Sequence, residues 1–107
     1  MGGNETILLA EVAEGQRQLA VKLSAAPTPV AESIQRMLHQ AQERLQQAAA
    51  GWERAKADYR RAAETKMRAS RARVTELRRE FSASRRRLRA AIRDWRAAHR
   101  RVEAHLA

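Results

Sequence analysis

The sequence predicts an all-α chain with a short N-terminal helix, a proline-containing linker and one long coiled-coil helix. Apolar residues recur at alternating steps of three and four over most of the chain, which is the spacing of a coiled-coil seam. The only two prolines lie at positions 27 and 29. No alternating apolar and polar segment of the kind that marks a strand is present. We therefore expect residues 1–107 to form a single helical domain.

The first element is a helix predicted over residues 5–24. Its apolar positions are Leu8, Val12, Leu19 and Leu23. Gly15 lies in the middle of this helix and should cost about 1 kcal/mol of helix stability relative to alanine. The linker is predicted over residues 25–28, because Pro27 ends the first helix and Pro29 suits the first position of the next.

The long helix is predicted over residues 29–106 and runs through Gly51. Its apolar seam consists of Ile34, Leu38, Ala41, Leu45, Ala48, Trp52, Ala55, Tyr59, Ala63, Met67, Ser70, Val74, Leu77, Phe81, Ser84, Leu88, Ala91, Trp95, Ala98 and Val102. Such a helix would be about 115 Å long, at 1.5 Å per residue. A second helix must cover its apolar stripe. The favoured arrangement is a straight rod paired with another chain, and the alternative is a folded-back helical hairpin or bundle that reverses near residues 65–70.

Positive charge is concentrated in the C-terminal half of the chain. The protein has 22 Lys and Arg residues against 12 Asp and Glu residues, a net charge of +10. Residues 1–52 carry a net charge of −1 and residues 53–107 a net charge of +11. This asymmetry indicates an anionic partner, although a general compositional bias towards arginine would also produce part of it.

Seven arginines, which we call the arginine stripe, lie within about 40° of one direction on the C-terminal part of the long helix. They are Arg71, Arg78, Arg85, Arg89, Arg93, Arg96 and Arg100. The stripe flanks the apolar seam, where coiled coils carry the charges that select a partner. A parallel homodimer would bring arginine towards arginine, so we expect an acidic helical protein partner, or a hetero-oligomer or antiparallel oligomer. The seam residues predicted to be buried against that partner are Leu77, Phe81, Leu88 and Trp95.

The expected function is that of a non-catalytic coiled-coil interaction or adaptor protein. The alternative is sequence-independent nucleic-acid binding through the arginine-rich helix, since arginines that neutralise phosphates bind without base recognition. The sequence contains no zinc-finger, RRM or KH motif. A membrane surface is disfavoured as a partner, because Ala91 and Ala98 weaken the apolar face of the basic segment.

The sequence predicts neither an enzyme nor a site for a metal or cofactor. It has no cysteine, and its histidines do not converge with a third ligand; they are His39, His99 and His105. It also lacks a glycine-rich phosphate loop and a nucleophile paired with a base. The longest strongly apolar run, residues 7–10, is too short for a signal sequence or a membrane span, so we expect a cytoplasmic protein.

Overall fold

The structure, a computed structural model, describes residues 3–64 and 71–106. These ranges contain three α-helices: α1 (Gly3–Ala25), α2 (Glu32–Glu64) and α3 (Arg71–Leu106). No strand occurs in the part of the chain that the structure describes. The prediction of an all-α fold is therefore confirmed. None of these helices is both long enough and apolar enough to cross a membrane.

Helices α2 and α3 pack against each other in opposite directions. Tyr59, near the end of α2, lies against Phe81 in the first third of α3, with ring centroids 5.8 Å apart. At the other end, Nη1 of Arg101 donates a hydrogen bond of 3.7 Å to Sδ of Met37, near the start of α2. The two long helices therefore form an antiparallel hairpin.

The predicted straight rod is wrong, and the folded-back alternative describes the chain. The principal extents are 61 × 21 × 15 Å, whereas one helix over residues 29–106 would measure about 115 Å. Helix α2 does run through Gly51, as predicted. The reversal occurs because the seam of α2 and the seam of α3 can cover each other, so no second chain is needed. The predicted reversal point, residues 65–70, lies outside the described residues.

The core of the hairpin is the predicted apolar seam. The buried residues of α2 are Ile34, Leu38, Ala41, Leu45 and Trp52, and those of α3 are Leu77, Ser84, Leu88, Ala91, Ile92, Trp95, Ala98 and Val102. Only Ile92 in this set was absent from the predicted seam. It lies beside Ile7 and Leu8 of α1, and this third helix accounts for its burial. Two predicted seam members, Met67 and Ser70, lie outside the described residues.

Helix α1 lies on α3 and runs parallel to it. Glu5, in the first turn of α1, contacts Arg85 and Arg89, whereas Lys22, in its last turn, contacts Glu103. Because α1 begins beside the middle of α3, it accompanies only the C-terminal part of that helix. Its length of 23 residues compares with 36 residues for α3. The N-terminal end of α3 therefore extends beyond α1.

The boundaries of α1 and of the linker differ slightly from the prediction. Val12 and Leu19 of α1 are buried in the same core as the hairpin, as their spacing predicts. The non-helical connection covers residues 26–31, longer than predicted, because the chain must reverse between two antiparallel helices. Helix α2 therefore begins at Glu32, where the carbonyl of Ala31 accepts the first backbone hydrogen bonds of the helix.

Candidate interaction surface

The structure divides the arginine stripe into two sets. The arginines bound to glutamates of α1 are Arg85, Arg89 and Arg96. The arginines that are exposed to solvent and form no ion pair with α1 are Arg71, Arg78, Arg93 and Arg100. The first set holds a helix of the same chain, and the second set remains accessible to another molecule.

Glu5 occupies the most buried acidic position in the described chain. Its side chain is 0% exposed, and its Oε1 accepts a hydrogen bond from Arg89 Nε at 2.9 Å. The same oxygen forms ion pairs with Arg85 Nε at 2.8 Å and with Arg89 Nη2 at 2.9 Å. Its Oε2 is buried without a hydrogen-bond partner among the described residues. Glu5 also lies in the first turn of α1, where the helix dipole favours negative charge.

The surroundings of Glu5 favour its ionised form. Burial alone raises the pKa of the Glu5 carboxyl. The hydrogen bonds from its own backbone amide and from Arg89, together with the positive charge of Arg85, outweigh that effect and lower the pKa below its ordinary value. Glu5 is therefore held as a carboxylate between two guanidinium groups.

Two further ion pairs join α1 to α3 along the same edge. Arg96 Nη2 lies 3.2 Å from Oε2 of Glu11, and Lys22 Nζ lies 3.0 Å from Oε1 of Glu103. The hydrogen bond from Lys22, and after it the charge of His99, lower the pKa of Glu103. These pairs are largely exposed, and each is worth at most about 1 kcal/mol. They fix the position of α1 along α3 more than they stabilise the fold.

Trp95 lies where the backbone of α1 approaches α3 closely. Its side chain is 2% exposed, and its ring stacks on the ring of His99 with centroids 4.8 Å apart. An ideal Cβ placed on Gly15 would lie 3.0 Å from Cη2 of Trp95. Glycine at this position therefore allows the backbone of α1 to lie directly against the indole.

A cationic groove borders α1 on the side where the stripe is exposed. It is lined by Asn4, Ile7, Leu8, Arg89, Ile92, Arg93, Arg96 and Arg100. Ile7 is 58% exposed, so the groove presents apolar surface between guanidinium groups.

The seam residues predicted to bind a partner are covered within the chain. Leu77, Leu88 and Trp95 are buried, and Phe81 is half-buried. Leu88 and Trp95 belong to the core formed by all three helices. In this structure their cover comes from α1 and α2, and of these four residues Phe81 retains the largest accessible surface.

The described residues do not assemble a metal site. No group of three or more His, Cys, Asp or Glu side chains lies close enough together within residues 3–64 and 71–106 to hold an ion. His39 pairs with Glu43 at 3.0 Å and His99 with Glu103 at 3.1 Å, each four residues along one helix. Both are local contacts, and no third His, Cys, Asp or Glu side chain of the described residues converges on either of them.

The contact of α1 with the arginine stripe was not predicted from the sequence. The available signal was the spacing of the charges. Glu5 and Glu11 are six residues apart on α1, close to the seven-residue spacing of Arg89 and Arg96 on α3. Two parallel helices can therefore align both pairs at once.

No protein-family model, no curated protein and no solved structure matches the chain.

Proposed function

We propose that the protein is a non-catalytic interaction protein whose arginine stripe recognises an acidic helix of a partner protein. The observation that carries this proposal is the binding of α1 to the arginine stripe through its glutamates. Glu5 lies against Arg85 and Arg89, and Glu11 lies against Arg96. The stripe thus holds one acidic helix already, and four exposed arginines of the stripe form no ion pair with that helix.

The charge of α3 supports the same function. This helix carries 12 arginines and four acidic residues, a net charge of +8. Complementary charge accelerates association and excludes unsuitable partners, whereas apolar contacts supply most of the affinity. We further propose that α2 and α3 pair as an antiparallel coiled coil, which would keep the stripe on a straight, rigid edge.

Sequence-independent nucleic-acid binding is the second candidate. The observation that favours it is the internal cover of the seam from Leu88 to Val102. Because α1 and α2 cover this seam, a molecule that binds the exposed arginines does not also have to cover apolar surface. Such a row would bind phosphates without reading sequence, and its affinity would fall steeply with salt.

Binding of two labelled probes to the whole protein distinguishes the candidates. One probe is a synthetic acidic helical peptide, with a control peptide in which every glutamate is glutamine. The other is a mixed-sequence DNA duplex, and fluorescence anisotropy is measured over a salt series. We expect the acidic peptide to bind at least about tenfold more tightly than its glutamine control, as several charge pairs of a few tenths of a kcal/mol predict.

Charge reversal of the exposed stripe supplies the matched control. We expect binding of the acidic peptide to be lost when the four exposed stripe arginines become glutamate, and a lysine-containing version of the peptide to bind this variant instead. The control variant carries the same four reversals away from the stripe, at Arg36, Arg44, Arg54 and Arg87, which are also exposed. Tight duplex binding with a slope near −0.9 per phosphate, and no peptide binding, would overturn the protein-partner proposal in favour of the second candidate.

A further inference from the structure

Helix α1 leaves the N-terminal end of the hairpin without a third helix. At 1.5 Å per residue, α1 is about 35 Å long and α3 about 54 Å. Glu5 lies beside Arg85 and Arg89, so the uncovered stretch of α3 corresponds to residues 71–84. This stretch is about 20 Å long, or roughly four helical turns.

The uncovered stretch presents the same faces of α3 that hold α1 further along. Phe81 lies one heptad before Leu88, and Val74 lies 18 residues, or about five turns, before Ile92. Arg78 likewise lies one heptad before Arg85. The apolar and basic pattern of the α1 site is therefore repeated beyond the start of α1.

Helix α2 supplies the opposite wall of this stretch. Lys56 is 18 residues, or about five turns, after Leu38, which lies beside Leu23 of α1 in one groove. The Lys56 side chain lies over the ring of Trp52, with Nζ 4.1 Å from the ring centroid. We call the surface bounded by Lys56, Tyr59, Val74, Arg78 and Phe81 the distal groove.

The exposure of the apolar residues of α3 shows which part of this helix α1 leaves uncovered. Under α1, Leu88 is 0% exposed and Ile92 is 2% exposed. In the distal groove, the corresponding Phe81 and Val74 are only half-buried. Tyr59, which contacts Phe81, is half-buried as well. The groove therefore keeps an accessible apolar floor.

The rim of the distal groove on the α3 side is basic. Arg71 and Arg78 of the stripe are exposed there. On the α2 side Arg60 is exposed, whereas Lys56 pairs with Glu53 at 3.2 Å. A helix seated here would meet positive charge along the edge that faces the α3 rim, so that edge must be acidic.

We infer that the distal groove docks an acidic amphipathic helix of a partner protein, in line with α1 and parallel to α3. This inference rests on the proposed function and adds the site, the orientation and the apolar component of the contact. It follows from the continuity of the groove with the α1 site and from charge complementarity at its α3 rim. A second copy of this chain fits poorly as occupant, because each copy carries a net charge of +10.

The partner helix has a definite pattern. Its apolar residues recur every three or four positions and pack on Phe81 and Val74, as the apolar residues of α1 pack on the core of the hairpin. Its glutamates flank that stripe and face Arg71 and Arg78, as Glu5 faces Arg85 and Arg89 in α1.

A labelled peptide with the sequence of residues 3–25, carrying Gly15→Ala to raise its helicity, is the probe for this site. We measure its binding to the whole protein by fluorescence anisotropy. The distal variant carries Arg71→Glu and Arg78→Glu. The matched control carries Arg36→Glu and Arg44→Glu, with the same change of charge at exposed positions of α2 outside the stripe. We expect at least tenfold weaker binding to the distal variant and less than threefold weaker binding to the control.

Two further readouts test the position of the peptide. Phe81→Gln should weaken binding at least fivefold, because it removes apolar floor without changing charge. In a Trp52→Phe background, emission from Trp95 should not change on binding, since α1 stays in place above that indole. Equal weakening by the distal and control variants would show that binding depends only on overall charge, and either that result or a shift of Trp95 emission would overturn the distal site. No binding of any acidic peptide to the unmodified protein would instead overturn the proposed function.

Discussion

The backbone of Gly15 in α1 lies against the indole of Trp95 in α3. An ideal Cβ at position 15 would be 3.0 Å from Cη2 of Trp95, which is tighter than about nine in ten Cβ contacts in folded proteins. By contrast, Gly51 in α2 has space around it, because an ideal Cβ at that position would have no heavy atom within 4 Å. The two glycines therefore have different roles in the same fold.

Alanine substitution should separate these roles. Gly51→Ala should stabilise the protein by about 0.5–1 kcal/mol, because alanine restricts the unfolded chain and fits the helix. Gly15→Ala should lose that gain, because either Trp95 or α1 must shift. Urea denaturation of both variants measures the difference. An equal gain at both positions would show that the approach of α1 to Trp95 does not limit packing.

Trp95 should stabilise the folded monomer, because its indole is buried within one chain. Its 2% exposure and its contacts with α1 predict that Trp95→Ala lowers the free energy of unfolding by about 3–5 kcal/mol. Tyr59→Ala, at the half-buried end of the hairpin, should cost less. Denaturation at several protein concentrations tests this. A loss for Trp95→Ala that vanishes on dilution would mean that the indole is buried between chains instead.

Acid should weaken the attachment of α1 through Glu5. The pKa of Glu5 is lower in the folded protein than its ordinary value of 4.5. Its contribution to stability is therefore complete above about pH 4.5 and is lost as the pH falls through the folded pKa. We expect the difference in unfolding free energy between the unmodified protein and Glu5→Gln to shrink below about pH 4.5. A difference that stays constant across the acidic range would contradict this assignment.

The core could be predicted from the sequence, and the path of the chain could not. The steps of three and four that include Leu45, Leu88 and Val102 identify buried positions, because helical periodicity is local. Whether α2 covers α3 of its own chain or of another depends on a reversal near residues 65–70, where the sequence has neither glycine nor proline. Periodicity alone is compatible with both arrangements.

The candidate site was predicted in part for the same reason. The arginine stripe is visible in the sequence, because its members share one direction on one helix. Its ligand inside the chain is not visible, because Glu5 and Arg89 are 84 residues apart and meet only after the chain has reversed twice. Ile92 was missed likewise, since its cover comes from α1 and not from the hairpin.

The central claim is that the arginine stripe recognises the carboxylates of an acidic helix, and a charge-swap cycle between Glu5 and Arg89 tests it most directly. Unfolding free energies are measured for Glu5→Arg, Arg89→Glu and the double variant, with the exposed pair Arg36 and Glu32, 3.9 Å apart within α2, as the control cycle. We predict that each single change destabilises the protein by about 1–3 kcal/mol, because a charge in or beside a buried position loses its counterion. The double variant should recover at least about 1 kcal/mol of that loss as coupling energy. If the two changes are additive to within about 0.5 kcal/mol, the contact does not discriminate charge and the account is contradicted.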